Sequence, residues 1–212
     1  MVRAARALAA CLGGDRGADM HLTKTLPVAS GIGGGSADAA AALRLLMRLW
    51  DVAPDETALH DLALALGSDV PACLASATLR VGGRGEKLVP ADIEGLAGAP
   101  VLLVNPGVPV ATGPVFRGWD GRDRGALDAS GMTALIAGRN DLEPPAMRLA
   151  PVIGDVLAAL REQLGVRLAR MSGSGATCFA LFEDGEGRDA ANRVLAGQYP
   201  QWWTMATRIR GA

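Results

Sequence analysis

The stretch Pro27-Val28-Ala29-Ser30-Gly31-Ile32-Gly33-Gly34-Gly35-Ser36-Ala37 concentrates the most suggestive chemistry in the chain. Four of five positions from Gly31 to Gly35 are glycine, which leaves backbone amides unshielded by Cβ and open to close approach by an anionic group. Apolar residues at helical spacing follow (Leu43, Leu46, Met47 and Trp50). They predict a helix whose first N–H groups and dipole add to the attraction. Together these features describe a phosphate cradle. Ser36 stands where its hydroxyl either caps that helix or reaches a phosphate-bound magnesium ion. Two common phosphate motifs are excluded. A Walker A loop needs lysine before the serine, where Gly35 stands, and the dinucleotide fingerprint needs a third glycine where Ser36 stands. A tight turn with Ser36 as a plain N-cap is the competing reading, but each glycine adds ordering entropy that a turn does not require.

Two further segments carry candidate chemistry. Met171-Ser172-Gly173-Ser174-Gly175-Ala176-Thr177 lies between two apolar runs and reads as a permissive hairpin turn. Paired with the first loop, it also reads as one wall of an anion site. Gly67-Ser68-Asp69-Val70-Pro71 places a carboxylate before a proline-containing turn. Locally that is an N-cap pattern. Phosphoryl transfer, however, also needs a carboxylate to accept or orient the proton of the attacking hydroxyl. Asp38 reads as a residue compensating the helix dipole rather than as a base.

Glycine makes up 28 of 212 residues, about 13% against a usual ~7%, so the excess is local to such loops. Half of the residues are apolar and 20% are charged, as in an ordinary globule. The net charge of −1 lacks the basic excess of a nucleic-acid binder. Asp38 and Asp69 interrupt the apolar runs before the ~18 residues that a membrane span needs. Cys11, Cys73 and Cys178 are far apart and odd in number, and His21 and His60 stand alone. These features argue against disulfides and metal clusters and for reduced thiols in the cytoplasm. Leu8-Ala9-Ala10-Cys11 looks like a lipoprotein cleavage box, but Arg6 interrupts the run before it, and an amphipathic helix is the simpler reading.

The periodicity predicts helices over Val2–Leu12, after the glycine stretch, and through Leu59–Leu66, with a strand at Met20–Leu26. A hairpin follows, with strands at Ser76–Val81 and Lys87–Val89 around Gly82-Gly83-Arg84-Gly85. The pattern lapses between Asp92 and Gly98, which suggests domains 1–95 and 96–212. The second half predicts strands at Val101–Val104, Val166–Met171, Ala176–Phe182 and Trp203–Ile209. It predicts helices at Ala146–Gln163 and Arg188–Gln198, and a loop from Gly113 to Gly125. Strands and helices alternating around a hairpin indicate an α+β fold.

With these residues in view, the chain resembles the kinases of the galactokinase, homoserine kinase, mevalonate kinase and phosphomevalonate kinase superfamily (GHMP). The matching segments are Lys24–Ala42, Leu66–Leu74, Gly83–Lys87, Asn105–Thr112, Asn140–Pro144 and Ser172–Phe179. Ser-Ala-Asp-Ala-Ala after the glycines, Gly-Ser-Asp-Val-Pro and Arg-Gly-Glu narrow the resemblance. They point to the branch that phosphorylates the C2 hydroxyl of 4-diphosphocytidyl-2-C-methyl-D-erythritol, a cytidyl-diphospho sugar alcohol, in non-mevalonate isoprenoid synthesis. The resemblance implies a ribosomal-protein-S5-like N-terminal domain and a ferredoxin-like C-terminal domain, with ATP and Mg2+ as cofactors. It implies that Pro27 to Ala37 wrap the ATP phosphates, that Ser36 meets the metal, and that Asp69 is catalytic. Gly173, Ser174 and Thr177 would close the site around the small-molecule substrate, and the oligomeric state is left open. Family members begin with strands bearing a catalytic lysine and cytidine contacts. The chain starts at the helix expected after them, so an incomplete N-terminal domain with lowered turnover is expected. A nucleotide-binding remnant, or a GHMP kinase with another small alcohol acceptor, is the alternative.

Overall fold

A computed structural model describes residues 1–14, 16–27, 30–128 and 130–211. The chain divides into two compact units: Met1–Thr25 with Gly33–Asp92, and Leu26–Ile32 with Ile93–Gly211. The segment Leu26–Ile32 therefore folds with the second unit, although it lies far before residue 95 in sequence.

The first unit is a small helical body with a hairpin. Its elements are α1 (Val2–Cys11), α2 (Gly34–Leu49), α3 (Glu56–Leu66), α4 (Val70–Ala75), β1 (Leu79–Gly82) and β2 (Lys87–Pro90). Its core joins Ala4 and Leu8 of α1 to Ala40, Ala42, Leu43 and Leu46 of α2, with Ala63 and Val70. Four of these eight residues are alanine, so the helix backbones approach closely. α3 is capped by Asp55, whose carboxylate accepts from the Ala58 amide at 3.1 Å, and it ends at Gly67. β1 and β2 pair antiparallel, with Gly82 opposite Lys87.

The second unit runs β3 (Pro100–Asn105), α5 (Thr112–Arg117), α6 (Met132–Ala137), α7 (Glu143–Leu149), α8 (Val152–Arg161), β4 (Val166–Met171), β5 (Cys178–Phe182), α9 (Gly185–Gln198) and β6 (Trp203–Arg208). The four strands form an antiparallel sheet in the order β4-β5-β3-β6, the ferredoxin-like arrangement. β3 is central and covered on both sides, as its unbroken apolar run requires. On one side α8 and α9 supply Ile153, Val156, Leu157, Leu160, Ala191 and Leu195 to the main core. Val101, Leu168 and Leu181 form a smaller cluster.

Three expectations need correction, and one of the two readings of Ser36, the N-cap, falls. Met20–Leu26 alternates like a strand but forms none, because alternation sets which faces the side chains take without providing a ladder partner. The helix expected over Ala146–Gln163 is two helices, α7 and α8. Pro151 cannot donate to the turn before it, and Ala150 leaves helical geometry (φ −139°, ψ 83°). The loop expected at Gly113–Gly125 opens with most of α5. Ser36 lies inside the first turn of α2, whose N-cap is Gly33. Among the described residues, no helix is long and apolar enough to cross a membrane.

Candidate active site

The first unit holds one part of the predicted site at the start of α2. Gly33 is the N-cap and brings no side chain to cap the helix, so the first-turn amides of Gly34, Gly35 and Ser36 have no side-chain acceptor. The Ala37 amide donates to the Gly33 carbonyl at 2.9 Å. A Cβ placed on Gly33 or Gly35 would meet nothing within 4 Å, so neighbouring groups do not crowd the turn at these two positions. Lys24 brings a cation to the same turn. Its Nζ lies 3.5 Å from where a Gly34 Cβ would stand, and it pairs with Asp38. An ammonium beside a helix N-terminus is poorly placed for the helix and well placed for a bound anion. Asp38 is thus engaged by Lys24, one turn inside the helix.

Gly67-Ser68-Asp69 reaches this turn from α3. A Gly67 Cβ would lie 4.0 Å from Ser36 Oγ. Asp69 is exposed and occupies the N-cap position of α4, yet its carboxylate accepts no cap hydrogen bond. The structural role that the local sequence suggests is therefore not taken up. Two contacts fix the segment that carries it. Gly85, in the Arg-Gly-Glu turn, has φ +122°, and a Cβ there would fall 2.0 Å from the Ser68 carbonyl oxygen, so the turn rests directly on this backbone. Arg44 of α2 donates from Nη1 to the carbonyls of Cys73 (2.9 Å) and Leu74 (3.2 Å) at the other end of α4. The charge of Asp69 is felt at Cys73, whose thiol is pushed up first by burial and then by Asp69, against the opposing pull of Arg44.

The second unit holds the remaining candidates. Ser30 is buried, and its carbonyl accepts from the Thr177 amide at 3.1 Å. Ser172 Oγ donates to the Gly31 carbonyl at 3.1 Å. Gly31 has φ +73°, and a Cβ there would sit 2.2 Å from the Gly175 carbonyl oxygen. This glycine is needed for contact between the two loops rather than for an open amide. Pro27 and Ile32, both half-buried, flank this part of the stretch, while Val28 and Ala29 lie outside the described residues.

The β4–β5 loop is held from several sides. Ser174 pairs with Thr112 Oγ1 at 3.1 Å. Thr177 is fully buried and accepts from Asn105 Nδ2 at 2.8 Å. Asn140 Nδ2 donates to the carbonyls of Met171 (2.9 Å) and Gly173 (2.8 Å). Sequence reading assigned no role to Asn105, Asn140 or Arg44. The bonds they donate reach residues between 29 and 72 positions away in the chain, and no local pattern announces such contacts.

Residues 1–77 match the GHMP kinases N terminal domain, and residues 125–201 match the GHMP kinases C terminal. The 4-diphosphocytidyl-2-C-methyl-D-erythritol kinase of Rhizorhabdus wittichii is 54% identical over 211 residues, 99% of this chain and 72% of that protein. The enzyme of the same name from Paramagnetospirillum magneticum is 50% identical over 217 residues, 99% of this chain and 75% of that protein. A crystal structure of a 4-(cytidine 5'-diphospho)-2C-methyl-D-erythritol kinase superposes with a TM-score of 0.80 at 34% identity, covering 96% of this chain and 76% of that one. A chain matched at both its N-terminal and C-terminal regions, and alike in sequence and fold to named members, belongs to the GHMP kinase family.

Proposed function

We propose that this small-molecule kinase transfers the γ-phosphoryl group of ATP to the C2 hydroxyl of 4-diphosphocytidyl-2-C-methyl-D-erythritol, in isoprenoid precursor synthesis. The observation that carries the reading is the pairing within the first unit of uncapped amides at Gly34–Ser36 with the uncapped carboxylate of Asp69. The relatives named above supply the acceptor.

The amides of Gly34, Gly35 and Ser36 are assigned to the ATP phosphates, where the start of α2 and Lys24 favour negative charge. Pro27 to Gly33 and Ala37 complete the nucleotide-binding stretch. Asp69 takes the proton of the acceptor hydroxyl as its oxygen bonds to the γ-phosphorus and the bond to the β-phosphate bridging oxygen breaks. Gly173 and Ser174 are assigned to the acceptor side, while Thr177, fully buried and bonded through its amide, carbonyl and hydroxyl, holds their loop in place from within. The Ser36 hydroxyl, together with phosphate oxygens, suits a hard oxygen-preferring ion such as Mg2+. When bound, that ion neutralises charge developing on the transferring group. Domains 1–95 and 96–212 and a cytoplasmic location complete the proposal, the latter in keeping with three unpaired cysteines.

The test is Asp69→Asn. Turnover should fall by about 10² to 10⁴, while thermal stabilisation by magnesium-ATP persists. Undiminished turnover in the variant, or a parent chain indifferent to magnesium-ATP, refutes the assignment.

A further inference from the structure

A cleft of about 550 Å³ in the second unit is lined by five arginines and three carboxylates. None of the nucleotide- or acceptor-binding residues assigned above lies in it. Each carboxylate can be matched to one arginine. Asp120 holds Arg124 at 2.5 Å, Asp141 holds Arg139 at 3.0 Å, and Glu143 meets Arg161 more loosely at 3.8 Å. Arg148 and Arg170 remain. Their hydrogen bonds go to backbone carbonyls: Arg148 to Gly118, and Arg170 to Leu135, Ile136 and Gly138. Glu143 also acts on Arg170 electrostatically, but it is one carboxylate shared between two cations. The cleft therefore carries two positive charges in excess of its acids.

We propose that this cleft binds a phosphate dianion, either orthophosphate or the phosphate of a small phosphomonoester. The argument rests on chemistry and size. A dianion cancels the excess of two. The planar fork of Arg148, with a single carbonyl partner, keeps donors for phosphate oxygens, while Arg170, with both Nη2 donors and one on Nη1 given to carbonyls, contributes mainly its charge. The cleft is large enough for a phosphate with a small organic group attached. Carbonyl-held guanidinium groups are already oriented, so less side-chain entropy is lost on binding than for free surface arginines.

The experiment is a ³¹P NMR titration of the whole chain with orthophosphate and, separately, with glycerol phosphate, each with and without saturating ADP. Saturable binding that survives ADP is expected, and the tighter probe identifies the source of the phosphate. Arg148→Gln should weaken it by about tenfold or more. Asp141→Asn, which releases Arg139 and raises the excess charge, should tighten it. A change in that direction cannot come from misfolding. Absence of saturable binding, full displacement by ADP, or affinity unaltered by both substitutions overturns the proposal.

Discussion

Alanine substitutions at Gly31 and Gly35 should have opposite effects on stability, because the two glycines do different work. At Gly31 the added Cβ would fall 2.2 Å from the Gly175 carbonyl oxygen with the backbone at φ +73°. Holding an L-residue there costs roughly 1–2 kcal/mol. Relieving the clash means parting the loops and losing the bonds from Ser172 Oγ to the Gly31 carbonyl and from the Thr177 amide to the Ser30 carbonyl. Each of these contributes about 1 kcal/mol. A loss of roughly 3–4 kcal/mol corresponds to a fall in Tm on the order of 10 °C for a chain of this size. At Gly35 the added Cβ would meet nothing within 4 Å, inside a helix where alanine is favoured over glycine by roughly 0.5–1 kcal/mol. Gly35→Ala should therefore melt slightly higher than the parent. The same methyl would occupy the space through which phosphate oxygens approach the amides, so magnesium-ATP affinity should fall by about tenfold, or about 1.4 kcal/mol. Thermal unfolding with and without magnesium-ATP reads both effects. A Gly31→Ala chain as stable as the parent refutes the loop-contact reasoning. A Gly35→Ala chain with full nucleotide affinity removes the phosphates from the start of α2.

Two other perturbations test the supports of the site. Arg44→Met leaves the carbonyls of Cys73 and Leu74 without their cation. It should lower kcat about three- to tenfold while KM for ATP stays within about twofold, and unchanged kcat in a chain that merely unfolds earlier would refute a positioning role. Burial pushes the Cys178 thiol up to about 12 from 9.0. The folded chain thus keeps a proton that the unfolded chain releases above 9.0, and stability should fall as pH rises between these values, by up to about 1.4 kcal/mol per pH unit. Denaturant midpoints measured across that range should fall less steeply in Cys178→Ala, and identical slopes would refute the assignment.

Much of the second unit was legible because its strands leave plain signals. The unbroken apolar run at Val101–Val104 requires a strand covered on both faces, and β4 forms over the predicted span Val166–Met171. The errors fall where local pattern competes with long-range structure. Met20–Leu26 alternates as a strand does, but strand formation depends on a neighbour. The apolar periodicity from Ala146 onward continues through Pro151, although the backbone cannot. The glycine stretch was legible as an unusual density of bare amides, yet composition alone could not separate its two uses. The start of α2 at Gly34–Ser36 has no side-chain cap, whereas the missing side chain at Gly31 makes room for the second loop. Gly85, Asn105 and Asn140 stood in segments that carried the resemblance, but their roles, like that of Arg44, could not be read from it, since each acts through a contact with residues distant in sequence.

Asp69 shows why a local cap pattern can mislead. An N-cap side chain accepts from the second or third residue of its helix and usually stands in extended geometry. In α4 the second residue is Pro71, which has no N–H to offer. Asp69 itself is αR, at φ −90° and ψ −10°, a geometry unlike that of a typical cap. The proline that makes the sequence look like a capped helix start thus removes one of the two donors that the cap would use. A helix of six residues is also too short to hold its own shape. Its placement comes from Gly85 against the Ser68 carbonyl at one end and Arg44 on the last carbonyls at the other. An exposed carboxylate left unbonded by its own helix, on a segment fixed by outside contacts, meets the two demands on a proton acceptor in phosphoryl transfer: it keeps its lone pairs, and its backbone is held in place.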